Sequence, residues 1–323
     1  MIKVENLSKA FGPVKALDSI SFQVERGEIV GILGPNGAGK TTLMRILTGF
    51  FPPTTGSILI DGLDLSKNLR KIQAMIGYLP ESAPLYKEMT PEEIVAFSAR
   101  MKGSAGRNVK KDVERALEAC GVGSVKNRLI STLSKGFRQR TAIATALVGS
   151  PKILILDEPT SGLDPEQIIE IRDLIRNLSG ARTVILSTHI LHEVAHLTER
   201  ILILQNGRLV ASDRLENLQE AFGSGFEISA SIIGPTEKIV ELLLQIPGVL
   251  EVEFTERENS SEYLIKTEEP DSVRAEISRR LVEAGFELVE LKKPELTLED
   301  IYLKSVRKNA AHRSARAQKF ASV

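Results

Sequence analysis

Only one cysteine, Cys120, occurs in 323 residues. An intrachain disulfide is therefore excluded, and this usage fits a reducing cytosol. No apolar run approaches the roughly 20 residues a membrane-spanning helix needs. The opening Met1-Ile2-Lys3-Val4-Glu5 has no signal-peptide pattern, so the expectation is a cytoplasmic protein. A surplus of charge is missing too. Lys plus Arg and Asp plus Glu both total 42, so net charge gives no reason to expect nucleic acid as a partner. Apolar residues make up 42% and mean hydropathy is −0.03. That is enough for a substantial core, and the length suits one large α/β domain with a smaller one.

What is present centres on Gly34-Pro35-Asn36-Gly37-Ala38-Gly39-Lys40-Thr41-Thr42, which satisfies G-x-x-x-x-G-K-[ST] at every fixed position. A short apolar run, residues 28–33, precedes it and suits a buried strand. Leu43, Ile46 and Leu47 follow at helical spacing. Strand, glycine-rich loop and helix together make a phosphate cradle. The glycines let backbone N–H groups turn inward as an anion nest, and the helix N-terminus adds a favourable dipole. Lys40 is placed to reach the β- and γ-phosphates, and the Thr41 hydroxyl to join a Mg²⁺ shell.

Upstream of the cradle, residues 1–5 and 19–24 alternate as strands, with a turn at Phe11-Gly12-Pro13. Phe11 either stacks on a base or belongs to the core. Downstream, residues 57–61 and 76–79 read as strands, the second ending at Pro80-Glu81. Thr90-Pro91-Glu92-Glu93 is a helix start with Thr90 as N-cap and Glu93 closing a capping box. From there to about residue 148 the pattern is wholly helical. Residues 110–119 form one helix and 135–148 another, capped by Ser134. A helical subdomain spanning about 82–150 is expected within the α/β core.

Residues 152–156 form an apolar run that ends in Asp157-Glu158. Open α/β sheets bind ligands at such C-terminal strand edges. One acid there can hold Mg²⁺ and its neighbour can orient or deprotonate a water. Asp164 caps the next helix, residues 165–178. Ser187-Thr188-His189 ends the following strand, where His189 is either structural or catalytic. His192-Glu193-Val194-Ala195-His196 matches H-E-x-x-H, but three fixed positions are permissive and no third ligand follows, so zinc is not expected.

Taken together these motifs resemble the ATP-binding subunit of ABC transporters. The deciding segment is Leu133-Ser134-Lys135-Gly136-Phe137-Arg138-Gln139-Arg140, similar to the L-S-G-G-Q signature and about 20 residues before Asp157-Glu158. The resemblance covers residues 1–220. It implies a P-loop NTPase core of α/β class with an antiparallel β subdomain and an inserted helical subdomain. It also implies that Phe11 stacks on adenine, residues 34–42 hold the phosphates, Thr41 and Asp157 bind Mg²⁺ with Glu81 nearby, and Glu158 polarises the attacking water. His189 would link γ-phosphate and water. Ser134, Gly136 and the crossing-loop residue Asp164 would serve a site shared with a second cassette, most simply an identical one. A separate membrane permease is the expected partner, holding the subunit at the inner face of the membrane. Lys135, Phe137 and Glu81 depart from the general pattern, and these departures resemble a branch that serves exporters of drugs, ions, glycans or gliding-machinery components. The alternative is a soluble ABC ATPase acting on ribosomes or DNA, which usually carries two cassettes per chain or long coiled coils.

Beyond a linker at 221–225 the order of elements reads βαββαβ, a small ferredoxin-like α+β domain within 226–306. Dimer support or ligand sensing are the roles open to it. The tail, 307–323, is basic and either touches anionic headgroups or is solvated and disordered.

Overall fold

The structure is a computed structural model that describes residues 1–180, 182–189, 197–214, 217–218, 227–257, 260–267 and 269–292. The chain divides into two compact units, the first within Met1–Leu215 and the second within Glu216–Lys304. The 192–196 pattern, the 221–225 linker and the basic tail lie outside the described residues.

The first unit is built on a six-stranded sheet in the order β10-β9-β3-β8-β7-β6. Its members are β3 (Ile29–Leu33), β6 (Ile76–Leu79), β7 (Ile153–Asp157), β8 (Thr183–Thr188), β9 (Arg200–Gln205) and β10 (Arg208–Arg214). Neighbours pair in parallel except the β9–β10 hairpin. Every residue of β3, β7 and β8 is buried, as a sheet covered on both faces requires. Because successive side chains point to opposite faces, the strands feed two cores alternately. Leu154 and Leu156 of β7 join one, with Val184 and Leu186 of β8. Ile153 and Ile155 join the other, with Ile185 and with Val30 and Ile32 of β3.

The second of those cores is closed by an antiparallel sheet, β2-β1-β4-β5, and by α1 (Lys40–Leu47). The strands are β1 (Ile2–Phe11), β2 (Val14–Val24), β4 (Thr55–Ile60) and β5 (Leu63–Asp64). A short helix, α2 (Leu69–Met75), leads into β6. The other core is closed by α3 (Pro91–Met101), α4 (Arg107–Ala119), two 3₁₀ turns, α5 (Lys135–Leu147) and α6 (Pro165–Ser179). The inserted helical segment thus exists as expected. Its entry is fixed by the capping box, in which Thr90 Oγ1 accepts from Glu93 N at 3.3 Å and Glu93 Oε2 accepts from Thr90 N at 2.8 Å.

The second unit holds β11 (Glu227–Ile233), α7 (Thr236–Leu244), β12 (Val249–Thr255), β13 (Ser261–Thr267), α8 (Pro270–Glu283) and β14 (Glu287–Lys292). Its sheet runs β12-β13-β11-β14, antiparallel throughout, which is the ferredoxin-like arrangement. Ile228, Ala230 and Ile232 face one side of β11 and form a core with Ile239 and Leu243 of α7 and Val273, Ile277 and Leu281 of α8.

Candidate nucleotide site

Four adjacent strands bring the polar motifs to one edge of the six-stranded sheet. Side by side, β6 leads to Glu81, β7 ends in Asp157 and Glu158, β8 leads to His189, and β3 leads to the glycine loop. The parallel registers Leu33↔Thr188 and Asp157↔Ser187 set these ends level. A cleft of about 710 Å³ opens there, lined by residues 35–42 together with Glu81, Glu158, Ser161 and His189.

The glycine loop turns into α1 at Gly39, whose φ of 105° lies in the left-handed region. A Cβ at Gly39 would stand 2.8 Å from Ala16 O and 2.7 Å from Leu17 Cδ2, so both conformation and space call for glycine. Lys40 is only 6% exposed. Its ammonium donates to Gly34 O at 2.8 Å and Pro35 O at 3.3 Å, and lies 3.3 Å from Glu158 Oε1. A cation held this way faces an anion-shaped backbone nest, and its present acceptors can be exchanged for phosphate oxygens.

Glu158 is buried with φ of 51°, a left-handed backbone uncommon outside glycine and typical of functional turns. The turn is pinned by β8, since Glu158 N donates to Ser187 O at 3.1 Å and to Ser187 Oγ at 3.0 Å. With Lys40 on Oε1, its other oxygen, Oε2, accepts from His189 Nδ1 at 2.7 Å. A carboxylate only accepts, so the proton of this bond sits on Nδ1. Asp157 is fully buried. Ser187 Oγ donates to its Oδ1, while Oδ2 has no hydrogen-bond partner among the described residues. Neither Asp157 nor Gly34 is among the residues lining the cleft; the unpartnered Oδ2 beside it is the feature of Asp157 that suits a hard cation.

The remaining sequence-predicted residues lie elsewhere in the chain. Phe11 is 43% exposed, meets Phe51 edge-on at 5.4 Å and lies under Lys9; it is not among the residues lining the cleft. Ser134, Gly136 and Asp164 also line no part of it. Ser134 caps α5 by accepting from Phe137 N at 3.3 Å, Gly136 packs on Gln167, and Asp164 caps α6 by accepting from Gln167 N at 2.9 Å. Conversely, Val14, Lys15 and Ala16 of β2 and the Asn206-Gly207 turn line the cleft without having been expected there. Asn206-Gly207 follows the apolar run of β9, and an Asn-Gly pair after such a run signals a hairpin. The β2 residues carry no local signal; they reach the cleft because the antiparallel sheet folds over α1.

The chain is 33% identical over 307 residues to the ABC transporter ATP-binding protein YxlF of Bacillus subtilis (strain 168), covering 95% of this chain and 99% of that protein. The chain belongs to the ABC transporter ATP-binding family. The family's own sequence profile, described as "ABC transporter", matches residues 17–161. This ABC subunit is also 32% identical over 308 residues to the bacitracin transport ATP-binding protein BcrA of Bacillus licheniformis, covering 95% of this chain and 97% of that one. Its fold resembles a dimeric ATP-binding cassette in a post-hydrolysis state with ADP and Pi, with a TM-score of 0.60 at 29% identity, covering 67% of this chain and 99% of the cassette. As an ABC ATPase subunit it binds and hydrolyses ATP. Subunits of this kind pair as cassettes and work with membrane permease subunits. No helix among the described residues is long and apolar enough to cross a membrane. The ribosome or DNA alternative finds no support in these relatives.

Proposed function

We propose that two copies of this subunit enclose two ATP molecules and drive an exporter through a separate membrane permease. The observation that carries the site assignment is Glu158, buried in the phosphate cleft between Lys40 and His189. In this reading the backbone of residues 34–39, with Lys40, Thr41 and Thr42, holds the phosphates. Glu158 orients and activates the attacking water, and His189 keeps the carboxylate in place. Thr41 and Asp157, with Glu81 nearby, would hold Mg²⁺; the ion supplies charge neutralisation on the phosphates. Phe11 supports adenine from the rim of the antiparallel sheet. Ser134 and Gly136 at the head of α5, with Asp164, serve the ATP bound to the other copy, which agrees with their lying outside this chain's own cleft.

Export is supported by the similarity to a bacitracin transport subunit and by the Ser134-Lys135-Gly136 and Tyr78-Leu79-Pro80-Glu81 segments. The permease surface is assigned to the helical subdomain near residues 82–99. Tyr86 and Phe97 there are half exposed and meet edge-on at 6.4 Å, an unusual amount of aromatic surface to leave in water. No nucleic acid and no zinc take part in this reading.

The test is affinity purification of the Glu158→Gln protein from detergent-solubilised membranes with ATP present. One polytopic membrane protein in stoichiometric amount is the expected result. Recovery of ribosomes or DNA-bound factors without a membrane protein would remove the transporter reading.

A further inference from the structure

The signature helix α5 is fastened to the segment that carries Glu158, and one of the two fastening residues is Lys135, which stands where the L-S-G-G-Q pattern has glycine. Lys135 Nζ donates to Gly162 O at 2.5 Å, and one turn later Gln139 Nε2 donates to Pro159 O at 2.7 Å. Both acceptors are main-chain carbonyls of residues 158–164. Two turns tie this segment to itself: Ser161 N donates to Glu158 O at 3.1 Å and Leu163 N donates to Thr160 O at 3.2 Å. Gly162 has φ of 67°, and a Cβ there would stand 2.2 Å from Lys135 Nζ. Glycine at 162 therefore serves the turn and also makes room for the ammonium.

The charge pattern of α5 is consistent with a tether. Its first turn has no acid and carries Lys135, a cation at the positive end of the helix dipole. Such a placement is unfavourable in an isolated helix, and the Gly162 carbonyl offsets it. An exposed lysine of this kind adds little to global stability, so its effect belongs to position rather than to folding.

We propose that Lys135 is a positioning residue that couples the placement of Glu158 to the signature turn offered to the other cassette's ATP, with Gln139 as the second anchor. When ATP draws Lys40 off Glu158, the shift in residues 158–164 passes through Gly162 O to Lys135, and so to Ser134 beside it. The proposal rests on the two-cassette reading above.

The experiment compares Lys135→Met and Lys135→Arg in the full chain by three measurements. These are amide exchange of residues 158–164 without nucleotide, steady-state ATP turnover, and the thermal midpoint. Lys135→Met is expected to speed exchange in that segment and to lower kcat about tenfold or more, with KM for ATP within about twofold and an unchanged midpoint. Lys135→Arg keeps a donor in reach and is expected to retain both exchange and kcat. The proposal is overturned if Lys135→Met leaves kcat unchanged, lowers kcat without changing exchange, or is matched by Lys135→Arg. The two-cassette reading is checked apart from it by ATP-dependent dimerisation of Glu158→Gln, in which Lys135 is intact. Loss of that dimer with the exchange effect present would overturn the coupling to a second ATP and leave the intrachain tether standing.

Discussion

His189 Nδ1 stands 2.7 Å from Glu158 Oε2, a contact between two strand ends that are 31 positions apart in the chain. With Lys40 3.3 Å from Oε1, the carboxylate has a partner on each oxygen. Glu158→Gln keeps the shape but removes the charge and the basicity. Hydrolysis is expected to fall by about 10²-fold or more, the usual contribution of a positioned general base, while ATP binding persists. His189→Ala keeps the base and removes its support, so a smaller fall in kcat with little change in KM is expected. Phosphate release and equilibrium nucleotide binding, measured on both variants, check this; a Glu158→Gln protein that turns over at the parent rate would remove Glu158 from the mechanism.

Gly39 provides a test of the cradle itself. Alanine there must adopt φ of 105° with its methyl 2.8 Å from the Ala16 carbonyl, a backbone atom that yields only if β2 moves. Strain of this kind costs about 1–3 kcal/mol. The expected outcome for Gly39→Ala is weaker ATP binding by tenfold or more, together with a lowered unfolding midpoint. Binding at the parent affinity would show that residues 34–39 adopt another conformation.

Lys102 gives a pH dependence with a definite sign. The residue as a whole is exposed, but its ammonium donates to the carbonyls of Ile76, Ala146 and Val148 at 3.1, 3.3 and 3.3 Å. Burial lowers its pKa from 10.5 to about 8. Between those values the unfolded chain binds more protons than the folded one, so stability rises with pH across this window. The burial cost is fully present below about pH 8 and is relieved as pH approaches 10.5. Stability of the parent relative to Lys102→Met is expected to climb between pH 8 and 10.5, by no more than one proton's slope. A flat difference across that range would place the ammonium in solvent.

The parts of the fold that were legible in the sequence are those written locally. The apolar strands β3 and β7, the Thr90 capping box and the Asp164 cap all sit where short-range patterns placed them. The βαββαβ order of the second unit was readable because its first strand alternates and its elements follow one another over short connections. Strands β9 and β10 are also written locally, since Ile201-Leu202-Ile203-Leu204 and Asn206-Gly207 spell a strand and its hairpin, a signal that the sequence reading above does not use. The contribution of Val14, Lys15 and Ala16 to the cleft could not be read, because it depends on how two sheets close over α1. Nor could the left-handed backbone at Glu158, which β8 imposes through Ser187.

Tyr86, Phe97 and Met101 leave 55%, 42% and 73% of their surface exposed on and beside α3. Tyr86 and Phe97 are in edge contact, and Met101 ends the same helix. Contiguous exposed apolar patches mark interaction sites more often than scattered ones do, and in the present reading the permease covers this one. Phe97→Glu places a charge where a partner would bury the ring, and desolvating an unpaired carboxylate is costly. Because Phe97 lines no part of the cleft and is itself solvent-exposed, ATP turnover of the isolated chain is expected to stay within about twofold. Co-purification with the membrane partner, by contrast, is expected to fall by tenfold or more, the effect of about 1.4 kcal/mol. Alanine at the same position removes contact without adding charge and is expected to give a smaller loss. If Phe97→Glu and Met101→Glu both co-purify like the parent while Glu158→Gln still captures a permease, the docking surface lies elsewhere on the cassette.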